Sequence, residues 1–95
     1  MDGVFYNAGQ SCCAVERIYV HHSILDEFVE EAIQFMNKLK IGDPQDDATD
    51  IGPLAQETGI KNVEKQLEDA QAKGAKIIRH TGPIPERGRY LLPAI

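Results

Sequence analysis

Residues 23–44 read SILDEFVEEAIQFMNKLKIGDP. Between Ile24 and Leu39, apolar Leu25, Phe28, Val29, Ala32, Ile33, Met36 and Leu39 recur three and four apart. That spacing follows one face of a 3.6-residue turn, so it predicts an amphipathic helix from Ile24 to Leu39. Ser23 stands where an N-cap stands. Asp26, three residues on, takes the place of a capping-box acid, although Glu or Gln is preferred there. Gly42-Asp43-Pro44 ends the helix, because glycine and proline both punctuate regular structure.

On the N-terminal side, residues 16–22 read ERIYVHH. Ile18, Tyr19 and Val20 are β-branched or aromatic, which predicts a short strand. Further back, Val4, Phe5 and Tyr6 form an apolar clump with no start signal ahead of it. It is expected to be the tail of an element that begins upstream. On the other side, residues 43–54, DPQDDATDIGPL, form a polar, turn-rich loop. A second helix is expected from about Gln56 to Lys73, with Ile60, Val63, Leu67 and Ala70 as its inward stripe. Glu57–Lys61 and Asp69–Lys73 are favourable pairs four apart, and Gly74 sits where a helix end needs positive φ. AKIIRH (75–80) predicts a strand, TGPIPERGR (81–89) a loop, and YLLPAI (90–95) a final extended segment. The expected order is β-α-α-β-loop-β, an α/β pattern. Both ends fall in apolar material, so residues 1–95 are expected to be part of a larger α/β unit.

Composition narrows the function classes. The chain has 95 residues, 42% apolar and 26% charged, with a formal net charge of −5. A chain this long buries roughly 60–65% of its unfolded surface, which suffices for one small domain at most. The acidic balance and the lack of a Lys/Arg run argue against a nucleic-acid partner. No apolar run approaches the roughly 20 residues a membrane span requires, and no secretory signal pattern opens the chain. No membrane partner is therefore expected.

The two cysteines, Cys12 and Cys13, lie side by side in NAGQSCCAVER, residues 7–17. Neighbouring cysteines pair poorly, since an ordinary disulfide places its Cα atoms about 5.5 Å apart. No third cysteine is available. A reducing, cytoplasm-like compartment fits this usage. By themselves the two thiols read more readily as small buried side chains than as a nucleophile with a neighbour. No metal site is expected, because His21, His22 and His80 do not make a ligand set and the first two suit solvated or capping roles. Asp43, Asp46, Asp47 and Asp50 lack the glycine and terminal glutamate of an EF-hand, and a solvated loop is expected. Arg17 is given a scaffold role, Asn7 a helix-end role, and Gly9 and Gln10 the shaping of the loop.

At the level of motifs the chain becomes more specific. FYNAGQSCCAVER, DEFVE, IGDP, IGPL, AKGAKII and RGRYLLPAI occur in that order. In this order they resemble the NAD(P)-dependent aldehyde dehydrogenase superfamily across essentially the whole length. The resemblance implies that Cys12 is the catalytic nucleophile and that Cys13 occupies a variable position. It implies that the Cys12 thiolate attacks an aldehyde carbonyl to give a thiohemiacetal. Hydride transfer to nicotinamide then gives a thioester, and hydrolysis releases the acid. The Cys12 backbone N–H would be one oxyanion donor. The family's general-base Glu, its oxyanion Asn, its Rossmann-like cofactor domain and a Glu-x-Phe segment have no counterpart here. NAD or NADP would therefore bind the parent protein and not these residues, and residues 1–95 would be a partial catalytic domain without activity of their own. The aldehyde substrate and the remainder of the enzyme are the implied partners, in a homo-oligomeric parent. A free-standing thiol redox sensor and a docking module for a partner chain remain open as alternatives.

Overall fold

The computed structural model describes residues 1–95, Met1–Ile95. Three α-helices punctuate the chain: α1, Asp2–Phe5; α2, Leu25–Lys38; and α3, Glu57–Ala72. Short 3-10 turns cover Tyr6–Gly9 and His22–Ile24. The two long helices lie within a residue or two of their expected bounds, since each carries its own hydrogen bonds and its own apolar stripe.

The start of α2 departs from expectation. A 3-10 turn precedes it, and the ring of His21 does the capping: Ser23 N–H donates to Nδ1 at 3.3 Å, and the Ser23 hydroxyl lies 2.8 Å from the same nitrogen. Ile24 flanks α2 and offers no side-chain cap. Asp26 and Glu27 in the first turn favour the positive end of the helix dipole instead.

The centre of the molecule is the last half of α2. Met36 has no exposure, and it meets Phe5 from α1 with Ile41 and Ile51 from the loop that follows. Phe35 stacks on Phe5 with ring centroids 6.5 Å apart. Ile41 and Ile51 make a parallel bridge, so the 43–50 loop leaves the core and returns beside its own start. Inside it the carboxylates close turns: Asp43 Oδ1 accepts from Gln45 N–H, Asp46 Oδ1 from Ala48 N–H, and Asp50 Oδ2 from Lys40 N–H.

The expected strands do not form a sheet. Residues 78–80 and 93–95 pair antiparallel over one bridge, Arg79 with Ala94, through Ile78 N–H to Ile95 O, Ile95 N–H to Ile78 O and His80 N–H to Pro93 O. Residues 16–22 make no such pairing, and Ile18 and Tyr19 stay exposed. The β-α-α-β-loop-β pattern is thus not realised as a sheet. A helix closes its hydrogen bonds within itself, whereas a strand needs a second strand at about 4.8 Å. His80 docks the paired segment onto α2: its Nε2 lies 3.0 Å from Leu39 O, while Nδ1 accepts Gly82 N–H. Asn37 Oδ1 accepts both Thr81 N–H and the Thr81 hydroxyl.

Helix α3 is held more loosely. Its stripe, Ile60, Val63, Leu67 and Ala70, is only half-buried, and no residue of the helix is fully buried. Arg79 reaches it with two hydrogen bonds to Glu64, at 3.1 and 2.7 Å. Gly74 takes φ +94° after its end, as expected of that position.

Candidate active site

The cysteine loop follows directly from α1. Asn7, Ala8 and Gly9 take φ values of 50°, 55° and 73°, three successive left-handed residues. Glycine adopts this region freely and asparagine tolerates it, but for alanine it costs about 1–2 kcal/mol. The chain then turns over Ser11–Ala14, where Ala14 N–H donates to Ser11 O at 3.1 Å. Val15 N–H returns to Gly3 O at 2.9 Å and ties the loop's end to α1.

Cys12 and Cys13 lie at the tip of this turn, both free thiols and both exposed. Ser11 Oγ sits 3.1 Å from Cys13 Sγ, whereas Cys12 Sγ has no hydrogen-bond partner. The two cysteines therefore differ in their surroundings. The backbone N–H of Cys12 also makes no hydrogen bond within the chain. A donor and a thiol on one residue are thus both without a partner in the chain.

Gln10 ties this loop to a distant part of the chain. Its Oε1 accepts Ala55 N–H at 2.7 Å and its Nε2 donates to Asn7 O at 3.1 Å. A shaping role for Gln10 was legible from its place in the turn. Its partner was not, because any non-proline residue offers a backbone N–H. Asn7 lies one residue past the cap of α1, inside the Tyr6–Gly9 turn, in a left-handed conformation. Arg17 is exposed and makes no ion pair. His21 and His22 pack edge to face at 4.3 Å, away from the core. His80, by contrast, is buried as part of the fold.

Three hollows lie near these elements. One of about 280 Å³ is lined by Asp2, Tyr6, Asn7 and Asp50 with Phe35 and Leu39. Another, about 250 Å³ and apolar, lies between Ala8, Gly9, Leu54, Val63 and Leu67. A broader groove of about 640 Å³ runs along α2 past Val15, Ile18, Leu25 and Phe28. The first two bring no Lys or Arg to the loop, and no glycine-rich turn there opens a long helix. The residues present therefore do not fit a dinucleotide, whose phosphates call for such donors.

The Aldehyde dehydrogenase family profile matches residues 1–95, and the chain belongs to that family. It is 46% identical over 91 residues to a succinate-semialdehyde dehydrogenase [NADP(+)] of Mycobacterium leprae, covering 96% of this chain and 20% of that protein. A Mycobacterium avium protein of the same name is 44% identical over 89 residues, covering 94% of this chain and 19% of its own length. The chain thus spans about a fifth of the curated relatives it matches. Among solved structures, aldehyde dehydrogenase C of Pseudomonas syringae, a cysteine-to-alanine variant complexed with NAD+ and octanal, superposes with a TM-score of 0.88 at 31% identity. That match covers 98% of this chain and 20% of the other. A Bacillus cereus aldehyde dehydrogenase also gives a TM-score of 0.88, at 26% identity, over 98% of this chain and 19% of that one. The local arrangement described above is therefore shared with aldehyde dehydrogenases, even though residues 16–22 find no strand partner among the 95.

Proposed function

We propose that the protein containing this chain oxidises an aldehyde to a carboxylic acid, with NADP+ or NAD+ as hydride acceptor, and that Cys12 is its nucleophile. Family membership over residues 1–95 supports the reaction class. The observation that carries the residue assignment is the exposed, unpartnered Cys12 thiol at the tip of the left-handed loop, beside its own free N–H. As a thiolate, Cys12 Sγ adds to the carbonyl carbon. The C–S bond forms, the π pair moves to oxygen, and a tetrahedral thiohemiacetal results. The Cys12 N–H is available to donate to that oxyanion. Oxidation beyond this point needs a hydride acceptor and a base that these residues do not supply.

Residues 1–95 are accordingly read as one part of a catalytic domain, with the nucleotide held elsewhere in the protein. In that domain residues 16–22 take a place in a sheet, which accounts for the exposed Ile18 and Tyr19. Free thiols fit a reducing compartment. No helix is long and apolar enough to cross a membrane. The names of the mycobacterial relatives make succinate semialdehyde with NADP+ the first pair to assay.

The test is kinetic, on the full-length protein. Cys12→Ala is expected to lower kcat by on the order of 10⁴-fold or more, as loss of a nucleophile does. Cys13→Ala should stay within about fivefold of the parent, since Cys13 bonds only to Ser11 and takes no chemical step. Equal losses from the two variants would defeat the assignment.

A further inference from the structure

Away from α1, the nucleophile loop has one hydrogen-bonded tie to the rest of the fold. Within residues 7–14, Gln10 N–H bonds to Asn7 O, Ala14 N–H to Ser11 O, and the Ser11 hydroxyl to Cys13. All of these close on the loop itself. The Tyr6–Gly9 turn and Val15 N–H to Gly3 O tie its base to α1, and one side-chain hydrogen bond reaches a remote segment, from Ala55 N–H to Gln10 Oε1 at 2.7 Å, across 45 positions of sequence. The same amide group holds the loop from within, through Nε2 to Asn7 O at 3.1 Å. Its two ends therefore join the start of the left-handed run to a remote segment.

That remote segment is itself fixed. Leu54 is buried at 7% exposure. Its N–H donates to Arg89 O at 2.6 Å, and its carbonyl accepts from Arg89 Nε at 2.9 Å. Ala8, meanwhile, sits at φ 55°, a conformation an alanine keeps only when its surroundings hold it there. Cys12 is two residues beyond Gln10, so a shift of the loop moves the thiol directly.

We propose that Gln10 is a positioning residue for Cys12: by bridging Asn7 O and Ala55 N–H it sets the left-handed loop, and so the place and heading of the nucleophilic thiol. The proposal rests on the reading of Cys12 as nucleophile. Gln10 touches no reacting atom; it acts through the backbone of residues 7–12.

The test uses the full-length enzyme with Gln10→Met, which keeps the length and removes both polar ends, and Gln10→Glu, which keeps an acceptor for Ala55 N–H and loses the donor to Asn7. Rates are expressed per titrated Cys12 thiol, and the alkylation rate of Cys12 by iodoacetamide is followed by mass spectrometry. Gln10→Met is expected to lower kcat per thiol by about 10- to 100-fold while KM stays within about threefold, the signature of a misplaced reacting group. Its Cys12 alkylation rate should differ from the parent's by at least about threefold, and Gln10→Glu should recover part of both changes. A merely structural role would lower the thermal midpoint and the number of titratable thiols while leaving kcat per thiol and the alkylation rate at the parent values, and that result overturns the proposal. The nucleophile reading fails separately, when Cys12→Ala retains aldehyde oxidation. In that event alkylation of Cys12 still decides for Gln10: dependence on Gln10 supports positioning, and independence refutes it.

Discussion

Single residues in this fold are constrained in ways a measurement can reach. A backbone N–H can only donate, so Gly82 N–H requires Nδ1 of His80 to be the bare nitrogen, and Nε2 carries the proton given to Leu39 O. Nitrogen-15 NMR should show the neutral Nε2–H tautomer; the opposite tautomer would contradict the network. The same contact explains the glycine at position 82, where a Cβ would strike the His80 ring. Gly82→Ala is expected to destabilise by about 1–3 kcal/mol, read from chemical unfolding. Asp46 is a surface counterpart. The Lys40 side chain, then Ala48 N–H, holds its carboxyl below the usual carboxylate range. A depressed folded value means that the stabilisation is present above about pH 4 and is lost as pH falls through the lower folded value. A carboxyl-carbon titration should place the Asp46 midpoint below the ordinary one, and Lys40→Met should raise it.

At the level of elements, α2 and α3 differ in how they are held, despite similar length. Helix α2 seats Ala32 and Met36 in the core, whereas α3 has no buried residue. The Arg79–Glu64 pair raises the Arg79 value, but with both side chains more than a third exposed it contributes no more than about 1 kcal/mol after solvent screening. Hydrogen exchange should therefore open α3 before α2; equal protection would show that α3 has support not visible in its burial. Met36→Ala should cost about 2–5 kcal/mol, because the side chain has no exposure at all. Both helices were legible from the sequence, since each period of apolar residues carries its own confirmation. The strand expected at 16–22 was not, because ERIYVHH has the right residue types and no partner within reach, whereas the segments expected at 75–80 and 90–95 do pair, over one bridge. Of the site, Gly9-Gln10-Ser11-Cys12 was legible as a turn leading to a thiol. Ala55 and Arg89 were not, since Ala55 offers only a backbone N–H, and the Arg89 side chain reaches Leu54 O across 35 positions of sequence.

For the molecule as a whole, surface area is the governing quantity. The chain exposes 7243 Å², against about 5,400 Å² for a monomeric globular protein of its mass. Its radius of gyration is 13.7 Å, against about 12.4 Å for a compact chain of this length. Eight of 95 residues are buried. A surface this large fits a unit that packs against more protein, with the α2 groove as its broadest uncovered face. Residues 1–95 taken alone are expected neither to bind NAD+ nor to turn over aldehyde; micromolar binding in a calorimeter would refute this. The bond from Gln10 to Ala55 also has a meaning in time. It closes a loop of 45 positions, whereas α2, the 43–50 turn and the Ile41–Ile51 bridge between its ends are more local, so these are expected to form first. During refolding, helical signal should return first and the parent-like alkylation rate of Cys12 afterwards. The thiol would thus acquire its final setting only once the framework between those two ends had already formed.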